Sequence, residues 1–137
     1  MTYFFDANHW LSSSENYLLS SMHDTKEKKD GIDNIGGRLD GNDIKKVILT
    51  SKLALSYDWN TGNDKLLATG LSNEIEGLYY SFVLNPDVYF TYDFNKYLKE
   101  AYKNNVRLFR IFPKSQLFYL NDYYMKKIFN ILSEKKF

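Results

Sequence analysis

One stretch limits the fold more than any other: GLYYSFVLNPDVYFTYDFNKYL, residues 77–98, in which eight of twenty-two residues are aromatic and an Asn-Pro-Asp triplet cuts the run in two. Rings at this density cannot all face water, so at least one half of the stretch must enter a core. The triplet sets the geometry of the second half. Asn85 offers a side-chain acceptor at an N-cap, Pro86 presets φ at the first helical position, and Asp87 puts a negative charge at the positive end of the helix dipole. This predicts a helix to about residue 104, with Phe90, Phe94, Tyr97, Leu98 and Ala101 as its inward stripe. Its opposite face carries Tyr89, Tyr92, Lys96, Lys99 and Lys103. The same triplet also suits a tight turn. In that alternative LYYSFVL and VYFTY pair as an aromatic antiparallel hairpin, Asp93 caps a shorter helix, and VRLFRIF over 106–112 is a further strand.

The remaining segments are read from periodicity and punctuation. Leu67, Leu71, Ile75, Leu78 and Phe82 recur at steps of four, four, three and four, which predicts a helix capped by Asn63 or Asp64. Gly70 and Gly77 inside it cost about 1 kcal/mol each relative to Ala. Over 47–59 two periods compete: Val47, Leu49, Leu53, Leu55, Tyr57 and Trp59 alternate as a strand, while Ile44, Ile48, Leu55 and Trp59 share a helical face. Ser12 and Glu15 have the spacing of a capping box and open a helix over 13–29. Residues 30–43, with four glycines and four aspartates, are loop chemistry. Pro113 precedes a last helix, starting as late as Asn121, that turns Leu117, Leu120, Tyr124, Met125, Ile128, Ile131 and Leu132 inward. The sum is a mainly α fold, a compact helical bundle of about five helices in a single domain over 1–137, with the Asp/Gly-rich loop at 30–43. An α+β fold with the aromatic hairpin and flanking helices is the alternative.

Composition removes whole classes of chemistry. A domain of 137 residues can bury about two-thirds of the surface its unfolded chain exposes. With no cysteine, disulfides, thiolate nucleophiles and zinc or iron–sulfur ligation by sulfur are excluded, and a reducing compartment suits the chain. The opening MTYFFDANHW lacks the basic and apolar regions of a signal peptide. The longest apolar run, LFYL over 117–120, is far too short for a bilayer. These features point to a soluble, cytoplasmic protein with no membrane partner. His9 and His23, on a predicted loop and a helix end, match no metal-binding or catalytic spacing. No GxSxG elbow occurs. A calcium loop starting at Asp30 would need an oxygen ligand where Ile32 stands. GIDNIGGR resembles a phosphate loop only in outline, since Gly37 and Arg38 replace the lysine and the hydroxyl residue. No catalytic residue, metal ligand or cofactor is assigned.

Charge supplies the one constellation that points outward. Residues 1–95 carry 14 acidic and 8 basic side chains, whereas residues 96–137 carry 3 and 10, so a net charge of +1 conceals halves of −6 and +7. In the basic part, Tyr89, Tyr92, Lys96, Lys99, Lys103, Arg107 and Arg110 combine cations able to meet carboxylates or phosphates with rings able to stack. An acidic protein surface would meet them as an aromatic hot spot with a charged rim. A nucleic acid would use the lysines for phosphates and the tyrosines for bases. The isoelectric point of about 7.8 and the acidic front half disfavour a polyanion. The expectation is a small, soluble, non-enzymatic protein that binds another protein, of immunity, antitoxin or inhibitor type. A nucleic-acid-binding accessory or regulatory protein is the alternative. A small enzyme using Asp30, Asp33, Asp40 and Asp43 is the third.

Overall fold

Two runs of bulky residues, IKKVILTS and LYYSFVL, are neighbouring central strands, and their burial explains why periodicity misreads them. The computed structural model describes residues 4–11, 44–71 and 75–135. Its strands are β1 (Phe4–Leu11), β2 (Ile44–Ser51), β3 (Leu78–Leu84) and β4 (Val106–Ile111). They form a four-stranded sheet, all parallel, in the order β1-β2-β3-β4. In β3 every residue but Tyr79 is buried. A strand buried on both faces reads as a continuous apolar run without alternation, as is usual in parallel sheets. Val47, Ile48 and Leu49 of β2 are buried on both faces in the same way.

The mainly α bundle is thereby overturned. The fold mixes helices with a sheet, so the α+β alternative has the right class. Its antiparallel hairpin does not form, because β3 pairs in parallel with β2 on one side and β4 on the other. The predicted helix with Leu67, Leu71, Ile75, Leu78 and Phe82 on one face is in fact a helix, a turn and a strand. A step of four residues is close to one helical turn and is also two strand repeats, so Leu78 and Phe82 share a face either way. Gly77, at φ 80°, makes the turn into β3 in a conformation that favours glycine, and its carbonyl accepts the Val47 N–H at 3.0 Å.

Five helices surround the described sheet: α1 (Lys52–Ser56), α2 (Trp59–Leu71), α3 (Val88–Thr91), α4 (Phe94–Lys103) and α5 (Tyr123–Lys135). The segment 47–59, which periodicity left open, divides into strand to Ser51 and helix from Lys52. Ser51 Oγ accepts the Ala54 N–H to start α1. Asp58 Oδ1 accepts the Thr61 N–H at 2.7 Å to start α2, ahead of the predicted caps at Asn63 and Asp64. A parallel sheet in chain order with right-handed crossovers carries its crossover helices on one face. Accordingly Leu66 of α2 and Ala101 of α4 share one core cluster with Val47, Leu49, Leu78, Tyr80, Phe82 and Val106. A second cluster, at the carboxyl ends of β3 and β4, joins Ala54, Trp59, Leu84, Phe94 and Leu98 to Met125 and Ile128 of α5.

Asn63 fills a gap in the ladder. The β2–β3 pairing ends at Thr50 and Ser81, since β2 turns into α1 just beyond. That leaves the Val83 peptide groups on that edge without a strand partner. Asn63 reaches across from α2: its Nδ2 donates to the Val83 carbonyl at 2.9 Å and its Oδ1 accepts the Val83 N–H at 3.0 Å. One carboxamide thus takes the place of the missing strand residue.

Several other expectations are corrected. Asn85 does not cap a long helix; its Oδ1 accepts the Asp87 N–H in a local turn, and the chain bends again at Tyr92, which is extended. Asp93 then caps α4, accepting from the Asn95 and Lys96 N–H groups, as the α+β alternative holds. The strand at 106–111 also agrees with that alternative. Phe94, Leu98 and Ala101 are buried as predicted, but Phe90 is 64% exposed. In the last helix Met125 and Ile128 are buried, while Leu117 and Leu120 are exposed because the helix begins only at Tyr123, capped by Asp122. His9 lies in β1, opposite Leu49, and not in a loop. The helix at 13–29, His23 and the loop at 30–43 with its four aspartates lie outside the described residues. No described helix is long and apolar enough to cross a membrane.

Candidate functional site

The outer face of α4 carries three of the predicted site residues, because its inward stripe of Phe94, Leu98 and Ala101 turns the intervening positions to solvent. Lys96, Lys99 and Lys103 are exposed there. Lys103 Nζ donates to Glu100 Oε1 at 3.2 Å, one turn back on the same helix. Tyr92 stands at the head of α4 on a fixed platform. Its hydroxyl donates to Asn60 Oδ1 at 2.8 Å, its ring stacks on Tyr97 at 5.2 Å, and it meets Trp59 edge-on at 6.3 Å.

The other predicted residues are placed elsewhere. Arg107 Nη1 donates to the carbonyls of Tyr102 and Val106, and its guanidinium lies 4.1 Å from the Tyr102 ring centroid. It serves to pin the turn between α4 and β4. Arg110 is half-buried on β4, opposite Val83, and is engaged within the fold. Tyr89 is half-buried beside α5. The single helical face expected for Tyr89, Tyr92, Lys96, Lys99 and Lys103 is therefore broken at Tyr92, where Asp93 restarts the helix in a new direction.

Around Tyr89 the structure assembles a group that sequence reading misses. The Phe90 and Tyr124 centroids are 4.2 Å apart, Tyr89 and Tyr124 5.5 Å, and Tyr123 and Tyr124 5.2 Å. Lys127 holds its ammonium 4.5 Å from the Tyr123 ring and 5.4 Å from the Tyr89 ring. The Tyr123 hydroxyl, as a hydrogen-bond partner, raises the Lys127 pKa above the ordinary lysine value and keeps the ammonium charged. Phe90 and Tyr123 are more than 60% exposed, and the preceding turns add exposed Leu117, Tyr119 and Leu120. One signal was present in sequence: Tyr123 and Lys127 stand at i and i+4, outside the inward stripe of the last helix.

Parallel sheets commonly bind ligands at the carboxyl ends of their strands. Some polar groups described there are taken up locally: Ser51 and Asn85 accept backbone N–H groups, and Gln116 Nε2 donates to the Ala54 carbonyl, although Gln116 Oε1 is buried without a hydrogen-bond partner. Thr50 and Ser81, in register on β2 and β3, are fully buried, and neither hydroxyl has a hydrogen-bond partner. Among the described residues no three His, Cys, Asp or Glu side chains are grouped as metal ligands would be. Compared with known proteins, the chain matches no family model, no curated protein and no solved structure.

Proposed function

We propose that the protein acts by binding another protein, without catalysis of its own, in the manner of an immunity protein, antitoxin or inhibitor. The observation that carries this reading is the pair of exposed rings, Phe90 and Tyr123, packed on half-buried Tyr124, with the Lys127 ammonium seated between Tyr123 and Tyr89. Rings in contact with one another yet open to solvent, beside a charge, have the composition of an interface core and its rim. Lys96, Lys99 and Lys103, exposed on α4, add further positive charge to the surface, which suits a partner that presents carboxylates. The cytoplasm, a reducing compartment, suits a chain without cysteine.

The test is affinity capture from the source cell with the wild type, Phe90→Ala, and a triple variant with Lys96, Lys99 and Lys103 each changed to Glu. A specific protein should be retained by the wild type, about thirtyfold more weakly by Phe90→Ala, and lost from the triple variant, with all three folded by circular dichroism. Equal retention by all three would refute the reading. Binding to random oligonucleotides that falls steeply with salt would favour the nucleic-acid alternative instead.

A further inference from the structure

A cleft opens between α2 and α4 above the middle of β3, and its lining has two chemical halves. Leu67, Phe82 and Ala101 make an apolar floor, while Asp64 from α2 and Glu100 from α4 bring carboxylates to it. Tyr92 and Tyr97, stacked at 5.2 Å with their planes 28° apart, form an aromatic wall. The free volume is about 160 Å³. That is below the roughly 300–1,000 Å³ of sites for drug-sized ligands and suits a group the size of one long side chain.

Both halves favour the same kind of occupant. Aromatic rings attract cations through their quadrupole, carboxylates do so through charge, and an apolar floor favours an aliphatic stem. Among the described residues no cation is paired with Asp64. Partial burial, and after it the charge of Asp58, raises the Asp64 carboxyl above its ordinary pKa, while the residue stays open to solvent. Burial also raises the Tyr97 phenol, so that it stays neutral. We propose that this cleft binds an organic cation with an aliphatic stem, an alkylammonium or alkylguanidinium group, its stem on Leu67, Phe82 and Ala101 and its head at Asp64 beside the Tyr92 and Tyr97 rings. Lys103, held by Glu100 at the rim, is an internal competitor for that charge.

The proposal does not depend on the partner-binding reading, which calls for an acidic surface on the partner and shares only Lys103 with the rim of the cleft. It is tested by titrating the protein with n-butylammonium and n-butylguanidinium, with n-butanol as the uncharged control, following the Tyr92 and Tyr97 ring signals by NMR. Saturable shifts are expected with the cations and not with the alcohol. Asp64→Asn should weaken binding by about fivefold or more while leaving the spectrum folded, and Tyr92→Leu by about two- to fivefold. Lys103→Met should tighten it, because Glu100 is then free. A second arm uses capped lysine and capped arginine: tighter binding than the free amines assigns the cleft to a side chain of a polypeptide, and equal or weaker binding to a small-molecule cation. No saturation, an equal response to butanol, or indifference to Asp64→Asn would overturn the proposal.

Discussion

Replacing Asn63 by Ala should remove a buried polar side chain that stands in for a missing strand residue. Asn63 is 1% exposed, and its carboxamide makes two hydrogen bonds to the Val83 peptide groups where β2 has already turned away. Water cannot take over both roles without opening the α2–β3 contact, since Val83 is fully buried. Each orphaned buried group costs about 1–3 kcal/mol, so the pair amounts to about 2–6 kcal/mol. For a chain of this size that lowers the midpoint of thermal unfolding by roughly 10 °C. Urea unfolding followed by tryptophan fluorescence measures it, Trp59 being buried in the second core cluster. Asn63→Leu, which keeps the branched shape in a bulkier, apolar form, removes the hydrogen bonds without leaving a cavity and should be as damaging as Ala. Asn63→Asp keeps the acceptor for the Val83 N–H but sets a carboxylate against the Val83 carbonyl, and should also destabilise. Losses under about 1 kcal/mol, the range of ordinary surface changes, or full stability in Asn63→Leu, would refute the strand-substitute role.

Two further outcomes rest on the surroundings of α2. The raised pKa of Asp64 means that the folded chain holds its proton more tightly than the unfolded chain, so the charged carboxylate costs stability above the folded pKa, a cost that fades as pH falls through it. Asp64→Asn should therefore be more stable than the wild type at neutral pH and equal to it in acid, by urea midpoints; a pH-independent difference would count against this. Gly62→Ala should destabilise by about 1–3 kcal/mol despite the better helix propensity of Ala, because the added methyl runs into the backbone of Ala54 on α1, which cannot move aside as a side chain would. Calorimetry that finds the variant unchanged or stabilised would show that α1 and α2 can separate at little cost.

The amino-acid order alone determined the features that depend on neighbours along the chain: the spacing of Met125 and Ile128 commits one side of the last helix to the interior, whereas the Asp93 cap and the strand Val106–Ile111 were legible only in the α+β alternative. That some rings of the 77–98 stretch must enter the core was equally legible, and Tyr80, Phe82 and Phe94 do so. Tertiary structure decided the rest. Whether LYYSFVL is strand or helix rests on β2 and β4 lying on either side of it, and burial on both faces removes the alternation that would have revealed it. Asn85-Pro86-Asp87 satisfies a turn as well as a cap, so its outcome depended on β3 arriving as a strand. Phe90 faces solvent because the break at Tyr92 uncouples α3 from the stripe of α4. The cleft over Phe82 exists only because two helices from separate crossovers lie on the same face of one parallel sheet. Asp64 and Glu100, 36 positions apart in the chain, meet there through packing that no local pattern encodes.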